Sequence, residues 1–128
     1  MSKILVIDDE EPLRMLLRSV LEEDGYEVRE AADGRAGIAS YRQEPADVVI
    51  TDILMPELDG LDMMLALTRE FLDVRVIAIT GEMGQPDLLN RARLLGARHT
   101  LYKPFSLAHL LKVVRYELAH GLPIPQEK

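Results

Sequence analysis

The sequence predicts an α/β fold in which helices cover both faces of a doubly wound, five-stranded parallel sheet. Short apolar runs and amphipathic stretches alternate along the chain, five of each, and such alternation is typical of strands connected by helices. Within the short runs the apolar residues follow one another directly, which is the pattern of parallel strands buried on both faces. The composition, with 48% apolar and 29% charged residues, is that of a folded globular domain.

The first half of the chain contains three predicted strands and two predicted helices. The first helix has Pro12 in its first turn and is closed by Gly25, and its apolar residues follow the spacing of one helical face. The second helix is capped by Asp33 and stopped by Pro45. The predicted strands cover residues 4–7, 26–31 and 47–51, and the second, more polar strand is expected at a sheet edge.

The second half of the chain repeats this order. Gly60 opens a helix that reaches about Phe71, a further helix begins at Pro86 and ends at Gly96, and Ser106 caps the last helix. The predicted strands of this half cover residues 74–79 and 98–102.

Length and composition limit the organisation of the chain. Its 128 residues suit one domain, assigned to residues 1–120, with residues 121–128 as a C-terminal tail. The absence of Cys excludes disulfides, and no apolar run approaches the roughly 18 residues of a membrane span. No signal-peptide apolar segment follows Met1, so we expect a cytoplasmic location. The net charge of −7 disfavours direct nucleic-acid binding.

Polar side chains are predicted at the carboxyl ends of four strands. Asp8 and Asp9 follow the first strand, Asp52 the third, Thr80 the fourth and Lys103 the fifth. Ligands of open parallel sheets bind outside these ends, where the strand order reverses. We therefore expect three carboxylates, one hydroxyl and one ammonium group to converge there.

This set of side chains suits a metal ion and a phosphoryl group. Clustered carboxylates repel one another, and a divalent cation relieves the repulsion. Oxygen ligands without Cys favour a hard ion such as Mg²⁺ over zinc, and the three histidines show no metal-ligand spacing. The ammonium and hydroxyl groups suit phosphate oxygens, and a carboxylate among them is able to form an aspartyl phosphate.

In order and spacing the chain resembles the receiver domain of response regulators in two-component systems, from about Lys3 to His120. The residues that carry the resemblance are Asp8-Asp9, Asp52, Met55-Pro56, Asp59-Gly60, Thr80 and Lys103-Pro104-Phe105. The resemblance implies a flavodoxin-like (βα)5 fold with strand order 2-1-3-4-5.

The resemblance also implies roles in phosphorylation. Asp52 accepts a phosphoryl group from a phosphohistidine of a sensor histidine kinase or a histidine phosphotransfer protein. Thr80 bonds one phosphoryl oxygen, and Lys103 pairs with another. The peptide bond between Lys103 and Pro104 is expected to be cis, which Pro makes possible. On this interpretation the chain is no enzyme for a separate substrate, because it catalyses only its own phosphorylation and dephosphorylation.

The implied metal site uses residues of the same sheet edge. Asp9, Asp52 and the backbone carbonyl of Leu54 bind Mg²⁺ directly, and Asp8 helps to position the metal, partly through water. The cofactor implied is therefore Mg²⁺.

The sequence departs from the family pattern at several positions. Many receivers carry an aromatic residue three positions before the lysine, where this chain has Thr100, so the usual coupling of that ring to the hydroxyl residue is in doubt. Gly81 replaces a common Ala, and both are small. Leu54 and Glu82 occupy positions that modulate phosphoryl lifetime, and the apolar Leu54 is unable to orient a hydrolytic water.

Three alternatives fit the sequence less well. A phosphatase of the haloacid-dehalogenase type needs a second Asp two residues after the nucleophile, where this chain has Leu54. A nucleotide-binding enzyme would carry a GxxxxGK[ST] or GxGxxG motif, and the chain has neither. An interaction-only receiver would have a damaged acidic site, and this one is intact.

The signal is expected to leave the domain through the face formed by the fourth helix, fifth strand and fifth helix, which the family commonly uses. The change is expected to pass through Thr80 and residues 81–86, where glycines ease rearrangement. Bases outnumber acids on this face, which favours an acidic partner surface. The charged residues concerned are Arg91, Arg93, Arg98, Lys112 and Arg115 against Asp87 and Glu117.

Overall fold

The computed structural model describes residues 1–53, 60–81 and 86–120. Its strands are β1 (Lys3–Ile7), β2 (Glu27–Ala31), β3 (Val48–Asp52), β4 (Val76–Thr80) and β5 (Ala97–Tyr102). Its helices are α1 (Glu11–Glu23), α2 (Gly34–Gln43), α3 (Gly60–Glu70), α4 (Pro86–Leu94) and α5 (Leu107–His120). The five predicted strands and five predicted helices are all present in the predicted order. The division at residue 120 stays a prediction, because the tail over 121–128 lies outside the described residues.

The sheet has the predicted topology. Its strands are all parallel and lie in the order β2-β1-β3-β4-β5. The polar strand β2 forms one edge, as expected. The order reverses beside β1, which pairs with β2 on one side and with β3 on the other. The carboxyl ends of β1 and β3 therefore lie next to each other, at the place where this fold binds ligands.

Each face of the sheet carries its own core. Along β1, Leu5 and Ile7 pack on one side, whereas Ile4 and Val6 pack on the other. The first side is covered by α2, α3 and α4, and the second by α1 and α5. All four residues are at most 1% exposed. Burial on both faces explains why the strands read as continuous apolar runs.

The predicted helix caps are formed. The Ala36 N–H donates to Oδ1 of Asp33 at 2.8 Å, and the His109 N–H donates to Oγ of Ser106 at 2.8 Å. Gly25 follows α1 with φ of 98°, a left-handed conformation that favours glycine. These local signals were therefore sufficient to place the helix ends.

All five strands begin one or two residues from the predicted start, and in three of them hydrogen bonds accompany the shift. Val74 is buried, but its N–H donates to the Phe71 carbonyl in a turn, so β4 begins two residues later than its apolar pattern suggests. Tyr26 donates its N–H to the Leu21 carbonyl at the end of α1, and β2 begins at the next residue. Asp47 precedes β3 and accepts the Lys3 N–H on its side chain at 2.7 Å. Apolar character predicts burial, whereas the hydrogen bonds determine where a strand begins.

A buried carboxylate connects α5 to β5. Glu117 is 1% exposed, and it accepts a hydrogen bond from Arg98 Nε and lies 3.0 Å from His99 Nε2. The Arg75 guanidinium donates to the Glu117 backbone carbonyl at 2.7 Å, and the rings of His99 and Tyr116 meet edge to face. Burial of a charged group is costly unless it is paired in this way.

In the described part of the chain, no helix combines the length and apolar character that crossing a membrane requires.

Candidate functional site

Asp52 is the last residue of β3 and is 5% exposed. It pairs with Ile79 of the neighbouring strand, so the sheet holds its backbone. The N-terminal residue of α3, Gly60, lies against this backbone. A Cβ at Gly60 would lie 2.5 Å from the Asp52 carbonyl oxygen, a distance that real Cβ atoms do not show. Glycine therefore allows α3 to begin directly beside the backbone of Asp52.

The loop after β1 supplies a second buried carboxylate. Asp8 is 1% exposed, and its Oδ1 accepts the Glu10 N–H at 2.8 Å. Burial raises the pKa of Asp8 above its ordinary value, although the Glu10 N–H and the charge of Lys103 partly offset this effect. A nearby cation is therefore needed to stabilise the ionised form.

Lys103 supplies that cation. Its Nζ lies 2.9 Å from Asp52 Oδ2, 3.3 Å from Asp8 Oδ2 and 2.7 Å from Glu10 Oε1. We call Asp8, Glu10 and Asp52, gathered around this ammonium group, the acidic cluster. Burial lowers the pKa of Lys103, but the hydrogen bonds with Glu10 and Asp52 outweigh it, and the net shift is strongly upward. Lys103 is therefore charged throughout the physiological range.

The backbone brings Lys103 to this place. Its N–H donates to the Thr80 carbonyl at 2.7 Å, which joins the ends of β4 and β5. The peptide bond between Lys103 and Pro104 is cis, as predicted. The lysine stem runs past Gly81, where a Cβ would lie 3.2 Å from Lys103 Cδ. An Ala at this position would force the stem to move by a few tenths of an ångström, so the glycine gives the lysine more room.

The structure brings most of the predicted site residues together. Lys103 contacts both Asp8 and Asp52, and the fully buried Thr80 lies at the end of the strand next to β3. Asp9 is exposed. Leu54 lies outside the described residues, as do Glu82 and the Met55-Pro56 and Asp59 positions of the resemblance. The metal-binding roles of Asp9 and Leu54 stay predictions.

Sequence reasoning did not single out Glu10. Oxygen atoms of Asp8, Glu10 and Asp52 lie within 4.8 Å of one another, so in the described part of the chain this is the group able to hold a cation. Its ligands are all oxygen atoms, which suits a hard divalent ion. The only signal in the sequence was the run of four acids over 8–11, because the contact of Glu10 with Lys103 spans 93 residues.

Thr100 has a different environment from the aromatic residue that the resemblance would place there. Its hydroxyl accepts a hydrogen bond from the Arg93 guanidinium of α4 at 2.9 Å. The position therefore connects β5 to α4 through a polar contact.

Comparisons with known proteins agree with this geometry. The family model described as the response regulator receiver domain matches residues 4–115. The chemotaxis protein CheY of Thermotoga maritima is 30% identical over 113 residues, which are 88% of this chain and 93% of that protein.

Solved structures show the same fold. A response regulator receiver domain protein from Clostridium thermocellum has a TM-score of 0.87 at 33% identity, with 93% of this chain and 95% of that chain covered. The response regulator protein TrrA from Thermotoga maritima, in complex with Mg²⁺–BeF, has a TM-score of 0.82 at 30% identity, with 91% and 99% covered.

Proposed function

This chain belongs to the response regulator receiver domain family of two-component systems, and from this premise we propose that Asp52 accepts the phosphoryl group. Phosphorylation on aspartate is the mechanism of the family. The observation that carries the assignment is the 2.9 Å contact between Lys103 Nζ and the buried Asp52 carboxylate, at the carboxyl end of β3. The donor is a phosphohistidine of a sensor histidine kinase or a histidine phosphotransfer protein.

The proposed reaction is a direct transfer. An Asp52 carboxylate oxygen attacks phosphorus, the bond from phosphorus to the histidine nitrogen breaks, and its electron pair stays on the imidazole. An acyl phosphate forms on Asp52. Lys103, already beside this carboxylate, pairs with a phosphoryl oxygen, and the Thr80 hydroxyl donates to another. The chain thus catalyses only its own phosphorylation and dephosphorylation. We propose that it acts in the cytoplasm.

We propose Mg²⁺ as the cation. The acidic cluster supports it, because three carboxylates converge and oxygen ligands suit a hard ion. Asp9, Asp52 and the Leu54 carbonyl would hold it directly, with Asp8 acting partly through water. When bound, Mg²⁺ supplies positive charge that offsets the carboxylates and the phosphoryl oxygens.

Incubation with acetyl phosphate and Mg²⁺ tests the proposed function. Intact-mass measurement should show the gain of one phosphoryl group, and the gain should depend on Mg²⁺. A chain that binds partners without phosphorylation would show no change in mass, and this result would contradict the proposal.

Mg²⁺ should raise the melting temperature of the wild-type protein, because it binds the native state and offsets repulsion among the carboxylates. The effect should require millimolar concentrations, since the ion retains several waters. In Asp9→Ala the increase should be lost, because a direct ligand is removed. Thermal melts with and without Mg²⁺ measure this change.

Glu10→Ala is the matched variant for this experiment. It removes a carboxylate from the adjacent position, one that contacts Lys103 at 2.7 Å. If Asp9 is the ligand, Glu10→Ala should retain most of the Mg²⁺ effect. If Glu10→Ala loses the effect and Asp9→Ala retains it, the predicted ligand set is wrong.

We propose that the signal leaves through α4, β5 and α5. Two of the five predicted bases are already paired within the chain, Arg98 with buried Glu117 and Arg115 with Asp24, and Asp24 adds an acid that the prediction did not count. Exposed apolar surface accompanies the remaining charge. Leu94 of α4, Tyr102 of β5 and Tyr116 of α5 are all exposed. A partner surface that combines acidic and apolar groups therefore fits this face.

A beryllofluoride mimic of the phosphoryl group tests this route. Amide NMR shifts should change across residues 81–95, because we expect the signal to pass from Thr80 into α4; part of this range lies outside the described residues. The Arg93 to Thr100 contact should carry the change to β5. Shifts confined to the acidic cluster, with α4 unchanged, would contradict the proposed route.

A further inference from the structure

Strand β2 contributes no reactive side chain, but it holds the loop that carries the acidic cluster. The Asp8 N–H donates to the carbonyl of Ala31, the last residue of β2, at 3.1 Å. The Asp8 carbonyl is held as well, because it accepts a hydrogen bond of 2.7 Å from Nη1 of Arg14 in α1. The peptide bond that accepts this contact is the one that joins Asp8 to Asp9.

Arg14 is itself held in place by β2. Its Nε donates to Oε1 of Glu30 at 2.8 Å, and the two side chains are only 14% and 20% exposed. The other oxygen of Glu30 accepts from Nη1 of Arg18 at 3.0 Å. The guanidinium groups of Arg18 and Arg14 hold the pKa of Glu30 below its ordinary value. The carboxylate is therefore ionised and fixes the orientation of Arg14.

We infer that Arg14 is a positioning residue for the cation site, because it clamps the Asp8–Asp9 peptide against Glu30 of the edge strand. This inference rests on the proposed function, since the peptide lies between two proposed metal ligands. A rotation of that peptide plane would change the direction of the Asp8 and Asp9 side chains relative to Asp52. The planar guanidinium is suited to this task because it donates to the carbonyl and to Glu30 at once, through two different nitrogens.

The direction in which Mg²⁺ affinity changes when Arg14 is removed distinguishes a positioning role from a purely electrostatic one. Arg14 brings a positive charge within hydrogen-bond distance of the loop, and this charge repels Mg²⁺. If charge alone mattered, removing Arg14 would tighten Mg²⁺ binding. If Arg14 positions the peptide, removing it should weaken Mg²⁺ binding by about tenfold. Loss of a residue that orients metal ligands has an effect of this size.

The experiment is a Mg²⁺ titration of the full chain, followed by amide NMR shifts well below the melting temperature. Arg14→Ala should raise the Kd for Mg²⁺ by about tenfold. Arg14→Lys keeps the positive charge but lacks the planar guanidinium that donates through two nitrogens, so it should also weaken Mg²⁺ binding. Arg18→Ala is the matched control, because Arg18 pairs with the same Glu30 but is not bonded to the Asp8 carbonyl. Its Kd should equal that of the wild type.

A second measurement distinguishes positioning from general destabilisation. In phosphorylation by acetyl phosphate, the half-saturating Mg²⁺ concentration should rise in Arg14→Lys, whereas the rate at saturating Mg²⁺ should stay close to wild type.

If Arg14→Ala does not fold, Arg14→Lys carries the test. An unchanged or lower Kd in Arg14→Lys, or an equal increase in Arg18→Ala, would overturn the inference. Failure of the proposed function would instead appear in the wild type, as the absence of any Mg²⁺ binding.

Discussion

Asp52→Asn is expected to abolish phosphorylation by acetyl phosphate or by a cognate kinase. The amide is nearly the same size as the carboxylate, but it is a far weaker nucleophile, so no acyl phosphate should form. The fold should be retained, because the Asp52 backbone is held in the sheet by its pairing with Ile79. Removing one charge from the acidic cluster should also relieve repulsion in the protein without Mg²⁺. Intact mass measures the loss of phosphorylation, and a thermal melt measures the change in stability.

Asp73→Asn provides the matched control for this variant. It makes the same chemical change at an exposed residue in the turn before β4, and it should be phosphorylated as the wild type is. Labelling of Asp52→Asn at the wild-type rate would show that another residue is the acceptor. Equal loss in both variants would point to a general effect of charge.

Glu117→Ala is expected to cause the largest loss of stability. The substitution removes the buried carboxylate that Arg98 and His99 share, and the partly buried guanidinium of Arg98 loses this ion pair. Breaking such a buried ion pair from one side costs about 3 kcal/mol in the free energy of unfolding. For a domain of this size the melting temperature should fall by roughly 10 °C.

The exposed pair of Arg42 and Glu70 offers a comparison of the same chemistry in solvent. The Nε and Nη2 groups of Arg42 donate three hydrogen bonds to the Glu70 carboxylate, and both side chains are exposed. Glu70→Ala should therefore have a much smaller effect, because water screens the interaction. Glu117 also lies at the opposite end of β5 from Lys103, so Glu117→Ala should still be phosphorylated below its melting temperature. A loss of stability no greater than that of Glu70→Ala would contradict the structural role of Glu117.

The reactive part of the site was predictable from the sequence because of a simple regularity. The carboxyl ends of parallel strands meet at one edge, so residues that follow apolar runs are brought together whatever their separation along the chain. Asp8, Asp52, Thr80 and Lys103 were identified in this way, and the structure places them at that edge. The resemblance supplied their roles.

The residues around that site were decided by the tertiary structure. Glu10 reads from the sequence as one more acid before a helix, and only the packing of β5 beside the loop after β1 brings Lys103 to it. In the sequence Arg14 is one of several charged residues at helical spacing, between Glu10 and Arg18. Its contacts with Asp8 and Glu30 depend on how α1 packs against β2. Such contacts depend on the angles and distances between helices and strands, and the spacing of apolar residues along the sequence does not predict these.

By itself the sequence determined the number, type and order of the elements, the helix caps and the strand ends that carry chemistry. These are set by interactions within a few residues, such as the bond from Asp33 to Ala36, and by the burial pattern of each strand. The tertiary structure decided which charges pair. Arg98 and Glu117 were predicted as parts of an exposed, charged face, but β5 and α5 bring them together at 3.0 Å with the carboxylate buried. The physical reason is that a charge can remain in the interior only beside its partner, and that partner is chosen by the packing of whole elements.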